Sequence, residues 1–180
     1  NDQHGGQSVP NFDYGMAPGV KKAYKRLYVT NLGKMLDFLE DVEDGVERMK
    51  ALEGKIEHEY GVFPCMAWDN NYAELELAEL KKIVPEAEAM KMQDRSRKFA
   101  DKEIRRKTYQ AMESFIHNLN TMHSRAGAQV PFSSINYGTD TSPEGRLVME
   151  SVMLATEAGL GNGETPIFPI QIFKVKEGVN

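Results

Sequence analysis

Cysteine is nearly absent. Cys65 stands alone among 180 residues, which excludes an internal disulfide and a zinc site built from this chain's thiolates alone. Long apolar runs are missing as well: none approaches the roughly 18–20 residues that a membrane-spanning helix requires, and no basic-then-apolar leader opens the chain. Basic charge is not in excess either, because 22 Lys and Arg stand against 27 Asp and Glu for a net charge of −5. A nucleic-acid surface needs clustered cations to neutralise phosphates, so none is expected. There is no internal repeat and no low-complexity tract. What remains is a mildly acidic chain suited to a reducing, cytoplasmic setting and long enough for one domain with a real core.

The apolar pattern changes character along the chain. Residues 1–19 are rich in Gly, Pro, Asn and Asp and read as an irregular loop. From Met35 the apolar residues Phe38, Leu39, Val42, Val46, Met49, Leu52 and Ile56 recur at helical spacing, which predicts a long amphipathic helix with weak points at Gly45 and Gly54. Residues 60–72 break the pattern and read as a loop. A shorter helix is expected over 73–84, and Pro85 restarts or kinks it because proline lacks the amide an internal helix position needs. Ile104, Met112, Phe115, Ile116 and Leu119 then predict a second long helix over 98–119. Lys91 to Lys107 is a basic run that either grips phosphates or an acidic partner, or forms a solvated helix face.

Residues 130–137 read as a strand. Ser142 as N-cap and Pro143 at the first helical position predict a helix to Ala158, with Gly159 as its stop, and residues 165–175 read as a second strand. Strand, helix and strand over this distance is a βαβ unit with parallel strands. In such a unit ligands bind beyond the strand's carboxyl end, where a helix start offers free amides. Gly138, Thr139, Thr141 and Ser142 occupy that place, either as a phosphate site or as an ordinary cap. Alternation sends Phe132, Ser134 and Asn136 to one face and Ser133 to the other. All three polar residues are candidates for ligand contact, with serines back-bonding to the main chain as the plainer alternative. His117, Asn118, Asn120, His123, Arg125 and Gln129 form a dense polar stretch, read as a network that orients this loop. His117 and His123 are not spaced i, i+4, so no metal is assigned.

Two blocks carry a resemblance. Asn118 to Asn180, including Ser-Arg-Ala-Gly-Ala-Gln-Val-Pro-Phe-Ser-Ser-Ile-Asn-Tyr-Gly (124–138) and Gly-Asn-Gly-Glu-Thr-Pro-Ile-Phe-Pro-Ile-Gln-Ile-Phe-Lys-Val-Lys-Glu-Gly-Val-Asn (161–180), and the opening Asn-Asp-Gln-His-Gly-Gly-Gln-Ser-Val-Pro-Asn-Phe-Asp (1–13), closely resemble the anaerobic (class III) ribonucleoside-triphosphate reductases, which are glycyl-radical enzymes. Between Lys21 and Lys107 the likeness is loose, and no site residue is carried over there.

The resemblance implies an α/β fold in which long helices pack beside a βαβ portion of a ten-stranded α/β barrel, a partial barrel. Residues 1–180 are then a single interior segment of the catalytic subunit: 1–19 a loop, 20–120 mainly helical, 121–180 the βαβ portion. It implies radical reduction of ribonucleoside triphosphates to deoxyribonucleotides for DNA synthesis, with Ser133, Ser134 and Asn136 facing the ribonucleotide in the barrel. The family's glycyl radical, zinc and formate are implied for the intact enzyme and none is expected in this segment. Cys65 does not stand in surroundings like those of the family's radical-carrying cysteine and reads as structural. The segment alone is therefore expected to be inactive. Implied partners are the ribonucleoside triphosphate, a nucleotide effector, the remaining segments, a radical-SAM activating enzyme and a second copy in a homodimer. The rival reading is a truncated or split module for dimerisation or nucleotide binding.

Overall fold

The computed structural model describes residues 6–68, 70–122, 130–161 and 163–179. In order, the elements are β1 (Gly6–Val9), α1 (Phe12–Glu40), α2 (Gly45–Tyr60), α3 (Asn70–Leu80), α4 (Glu86–Thr121), β2 (Phe132–Tyr137), α5 (Pro143–Ala158) and β3 (Ile170–Phe173). They fall into two compact units, Val20–Ile104 and Asn1–Gly19 with Arg105–Asn180.

The Val20–Ile104 unit is helical. Along α1, Val20, Tyr24, Tyr28, Leu32 and Leu36 recur every fourth residue and are buried, a stripe that drifts only slowly around a helix of 3.6 residues per turn. The single helix expected from Met35 through Ile56 is instead two. α1 ends at Glu40, Asp41 turns into the left-handed region with φ 52°, and α2 restarts at Gly45. Phe38, placed on the buried face by sequence spacing, is 88% exposed, because the α1 register buries Leu32 and Leu36 and turns Phe38 away. α1 and α2 meet through glycines, for a Cβ on Gly33 would lie 2.6 Å from Val46 N and 2.8 Å from Gly45 C. The Asp37 carboxylate completes the join by accepting from Gly45 N at 2.6 Å. α3 gives way to a turn, and α4 starts just after Pro85, whose carbonyl accepts from Glu88 and Ala89 N. α4 begins well before residue 98 because its early buried stripe is Ala89, Met92, Ser96 and Ala100, mostly small side chains that a hydrophobicity count passes over.

Buried among these helices is a carboxylate. Glu76 accepts hydrogen bonds from Tyr28 Oη, from Tyr72 Oη at 2.7 Å and from Gln93 Nε2 at 2.8 Å. Burial pushes its pKa up, and the three donors pull against that without cancelling it.

The other unit holds the sheet. Its three strands are parallel in the order β1-β2-β3, and β2–α5–β3 is the expected βαβ unit. α5 buries Leu147, Val148, Ser151, Val152 and Ala155, an i, i+1, i+4, i+5, i+8 stripe. The loop expected over residues 1–19 is overturned within the described residues: Gly6–Val9 pairs in register with β2, and α1 runs from Phe12 straight through Gly15, Pro18 and Gly19. Helix propensity is a local preference that tertiary contacts override, and here Phe12, Asp13 and Ala17 are all buried, with Phe12 stacked on Phe115 at 5.2 Å. β3 is shorter than expected. Asn120, at the end of α4, takes the Ile167 and Phe168 amides on Oδ1, both at 2.9 Å, and donates to Ile116 O and Phe168 O. Those amides are thereby withdrawn from the ladder, and Pro169 has none to offer.

Candidate functional site

The sheet has two chemically different faces. Tyr137 Oη donates to Gln171 Oε1 at 2.6 Å, and Gln171 Nε2 donates to Thr156 Oγ1 of α5 at 2.6 Å, so the side carrying Ser133, Ile135, Tyr137 and Gln171 packs toward α5. Ser133 belongs to this buried side and its hydroxyl back-bonds to Pro131 O at 3.1 Å. It is thereby separated from Ser134 and Asn136. The opposite side carries Phe132, Ser134 and Asn136 from β2, Ile170 and Ile172 from β3, and Ser8 from β1, which is the register partner of Ser134. Phe132, Ile170 and Ile172 remain 41–53% exposed there. On this open side Asn136 Oδ1 is shielded from solvent and, among the described residues, meets no hydrogen-bond partner, and a buried acceptor left unmatched costs roughly 1–3 kcal/mol.

At the carboxyl end of β2 the backbone forms an anion nest, and the anion is the protein's own. Asp13 Oδ2 accepts from the amides of Gly138 at 2.9 Å, Thr139 at 3.1 Å and Asp140 at 3.0 Å, while Oδ1 accepts from Tyr14 N at 3.0 Å. Burial alone would raise the Asp13 pKa, but the amides of Asp140, Gly138, Tyr14 and Thr139 outweigh it and hold the carboxyl below the ordinary Asp range. Gly138 has φ 125°, and a Cβ there would lie 2.6 Å from Lys174 O, so the residue must be glycine on both counts. Ser142 acts as a cap, with Oγ accepting from Gly145 N at 3.1 Å, and its own amide donates to Asp140 Oδ1 at 2.8 Å. Asp140 lies so close over Gly145 that a Cβ on that glycine would lie 2.7 Å from the Asp140 Cβ. The amides of Gly138, Thr139, Asp140, Ser142 and Gly145 thus all have acceptors within the protein. The phosphate reading of Gly138, Thr139 and Ser142 gives way here, because an internal carboxylate already takes the amides an external phosphate would need. Thr141 is exposed and takes no part in the nest.

The residues that build this strand end, the nest and the helix start all lie in the stretches that a family model for anaerobic ribonucleoside-triphosphate reductase matches, residues 1–180. The chain belongs to that family. It is similar to the anaerobic ribonucleoside-triphosphate reductases of Escherichia coli (strain K12), 36% identical over 83 residues that make up 46% of this chain and 12% of the relative, and of Enterobacteria phage T4, 33% identical over 100 residues, 55% of this chain and 16% of the relative. The Salmonella typhimurium enzyme is 35% identical over 83 residues. The chain spans a small part of the length of these curated relatives.

In this member of the family the fold brings together Ser134 and Asn136 on one side of the sheet and separates them from Ser133. His123, Arg125 and Gln129 lie outside the described residues. Asn120, from the same polar stretch, is a structural clamp on residues 167–168. Two residues were missed in the sequence. Ser8 sat in a presumed loop, and Asp13 carried no local signal beyond its place after Phe12. The basic run on α4 is largely a solvated face, with Lys91 paired to Glu88 and Lys98 to Asp94 within the helix and the Arg97 guanidinium 5.0 Å from the Trp68 ring centroid. Among the described residues no group of three or more His, Cys, Asp or Glu is placed to hold a metal ion, and no helix is long and apolar enough to cross a membrane. Cys65 is half-buried in the loop after α2.

Proposed function

We propose that this chain contributes a substrate-facing wall to an anaerobic ribonucleoside-triphosphate reductase, the open side of the β1-β2-β3 sheet forming part of the lining of a larger α/β barrel. The observation that carries the reading is Asn136 Oδ1, sheltered from water, without a partner among the described residues, and on the same face as Ser134 and Ser8. An acceptor in that state calls for a donor, and the hydroxyls of a ribose are donors of the right kind. In a βαβ barrel the side away from the helices is the lumen, and α5 lies on the other side. Both sheet edges carry short parallel strands, so further strands from the rest of the subunit would extend the sheet on either side. The radical, its cysteine relay, the reductant formate and the zinc would belong to other segments of the intact enzyme. The residues described here would bind and orient the ribonucleotide and exclude water. The activating enzyme, the effector nucleotide and a second subunit would be partners of the whole protein, in the cytoplasm.

In the full-length reductase, Asn136→Ala is expected to lower kcat/KM for ribonucleoside triphosphates about tenfold or more, since a hydrogen bond to a strongly polar partner contributes roughly 1.5–3 kcal/mol. Effector affinity and melting temperature should stay near those of the parent. Equal losses in all three would make Asn136 a structural strand residue.

A second reading, in which the chain supplies nucleotide binding or dimerisation without catalysis, draws on a groove in the helical unit. This cavity of about 210 Å³ is lined by Lys34, Met35, Phe38, Leu39, Glu88, Lys91 and Arg95. Lys34 and Arg95 beside the exposed Phe38 ring, with Lys91 paired to Glu88 at 2.8 Å, suit an anionic, planar ligand. Under this reading Arg95→Glu should weaken binding of a nucleoside triphosphate to the protein at least tenfold, measured by calorimetry, while the substrate-facing reading leaves that affinity unmoved.

A further inference from the structure

We propose that Asp13 is a positioning residue: its carboxylate, seated in the backbone amides of Gly138, Thr139 and Asp140, sets the course of the chain leaving β2 and thereby the aim of Asn136 at the ribonucleotide. The inference rests on the substrate-facing reading of Asn136 and adds the group that holds it in place. Three consecutive amides converge on one oxygen, Asp13 Oδ2, at 2.9–3.1 Å from a residue 125 positions away. Such a concave backbone turn is favourable only while an anion fills it. Asp140 is committed elsewhere, its Oδ1 receiving the Ser142 amide at 2.8 Å and its side chain packed against Gly145.

Two more ties join the same turn to the same strand ends. Tyr14 Oη donates to Thr139 O at 2.8 Å, and Lys174 Nζ donates to Asn11 Oδ1 at 2.8 Å and to Pro10 O. The Lys174 amide in turn donates to Tyr137 O at 2.7 Å. The first turn of α1 and the carboxyl ends of β2 and β3 therefore form one bonded assembly. It has little slack, since Gly138 lies against the Lys174 backbone. Asn136 is two residues upstream of the first amide held. Loss of the anion would leave buried amides without their acceptor, and the strand end would reopen toward water.

The test uses the full-length, activated reductase. Asp13→Asn keeps the size of the side chain and one acceptor oxygen but removes the charge. It should raise the ribonucleotide KM at least tenfold, leave effector affinity unchanged, and speed hydrogen exchange at the amides of residues 138–140. Tyr14→Phe, at a residue 51% exposed where folding is not at risk, removes only the tie to Thr139 and should raise KM about two- to threefold. Because Asp13 acts through Asn136, combining Asp13→Asn with Asn136→Ala should raise KM hardly more than the larger single effect. Asp13→Gly empties the nest, and sodium acetate, but not sodium chloride at equal ionic strength, should restore part of the affinity. Parental KM in both Asp13→Asn and Tyr14→Phe, or fully additive effects with Asn136→Ala, overturns the positioning role. Neither result touches the substrate-facing reading, which fails separately if Asn136→Ala alone is without effect.

Discussion

Replacing Glu76 by alanine is expected to destabilise the helical unit by about 3–5 kcal/mol, the range found when one member of a buried charged or hydrogen-bonded set is removed. The carboxylate is fully buried and takes hydrogen bonds from Tyr28, Tyr72 and Gln93, so alanine would leave two phenols and one of the Gln93 N–H groups without an acceptor, in a cavity, the other N–H keeping Ala73 O. Glu76→Gln should cost less and change the pH dependence. Burial raises the folded-state pKa of Glu76 above its ordinary value of 4.5. As pH rises from that value toward the higher folded one, the unfolded chain gives up its proton first. The contribution of Glu76 is therefore complete below about pH 4.5 and declines as pH rises through the window up to the folded pKa. Asp13 works in the opposite sense, since its lowered pKa adds stability that is present above the ordinary Asp range and lost on acidification. The difference between parent and Glu76→Gln, followed by urea unfolding at a series of pH values, isolates the first effect. A difference that stays flat across the window, or an Ala variant as stable as the parent, would show that Glu76 is not the buried hub of this unit.

Gly33→Ala should cost about 2 kcal/mol, although alanine is the better helix former by about 1 kcal/mol. The new methyl would lie 2.6 Å from Val46 N and 2.8 Å from Gly45 C, backbone atoms that cannot swing aside, and overpacking of this kind costs roughly 1–3 kcal/mol or more. Gly54 provides the contrast. It lies within α2 with nothing within 4 Å of an added Cβ, so Gly54→Ala should stabilise by about 0.5–1 kcal/mol. Thermal unfolding of the two variants should therefore move Tm in opposite directions. Shifts of the same sign would mean that α1 and α2 do not approach as closely as these glycines require.

The parts of this protein legible in its sequence are those governed by neighbours along the chain. The Ser142–Pro143 start and the Gly159 stop of α5 are capping signals within a few residues, and the alternation of β2 that separates Ser133 from Ser134 and Asn136 follows from strand geometry. The two blocks that resemble the reductase family are likewise contiguous runs. Residues 1–19 misled, because Gly15, Pro18 and Gly19 argue locally against a helix, whereas the burial of Phe12 and Ala17 is a property of the folded unit. Phe38 misled in the other direction, because apolar spacing tells that a helix has a face and not which stripe is buried when four residues part the end of one helix from the start of the next.

The candidate site divides along the same line. Local sequence left two readings of the stretch between β2 and α5, a phosphate site or an ordinary cap, because a glycine and free amides near a helix N-terminus suit either. Phosphate and carboxylate satisfy such amides equally well, so the local chain cannot distinguish a ligand from an internal partner. Only the tertiary structure, by bringing the first turn of α1 against residues 138–140 from 125 positions away, decided that the anion is Asp13 and left Asn136 Oδ1 buried without a hydrogen-bond partner among the described residues.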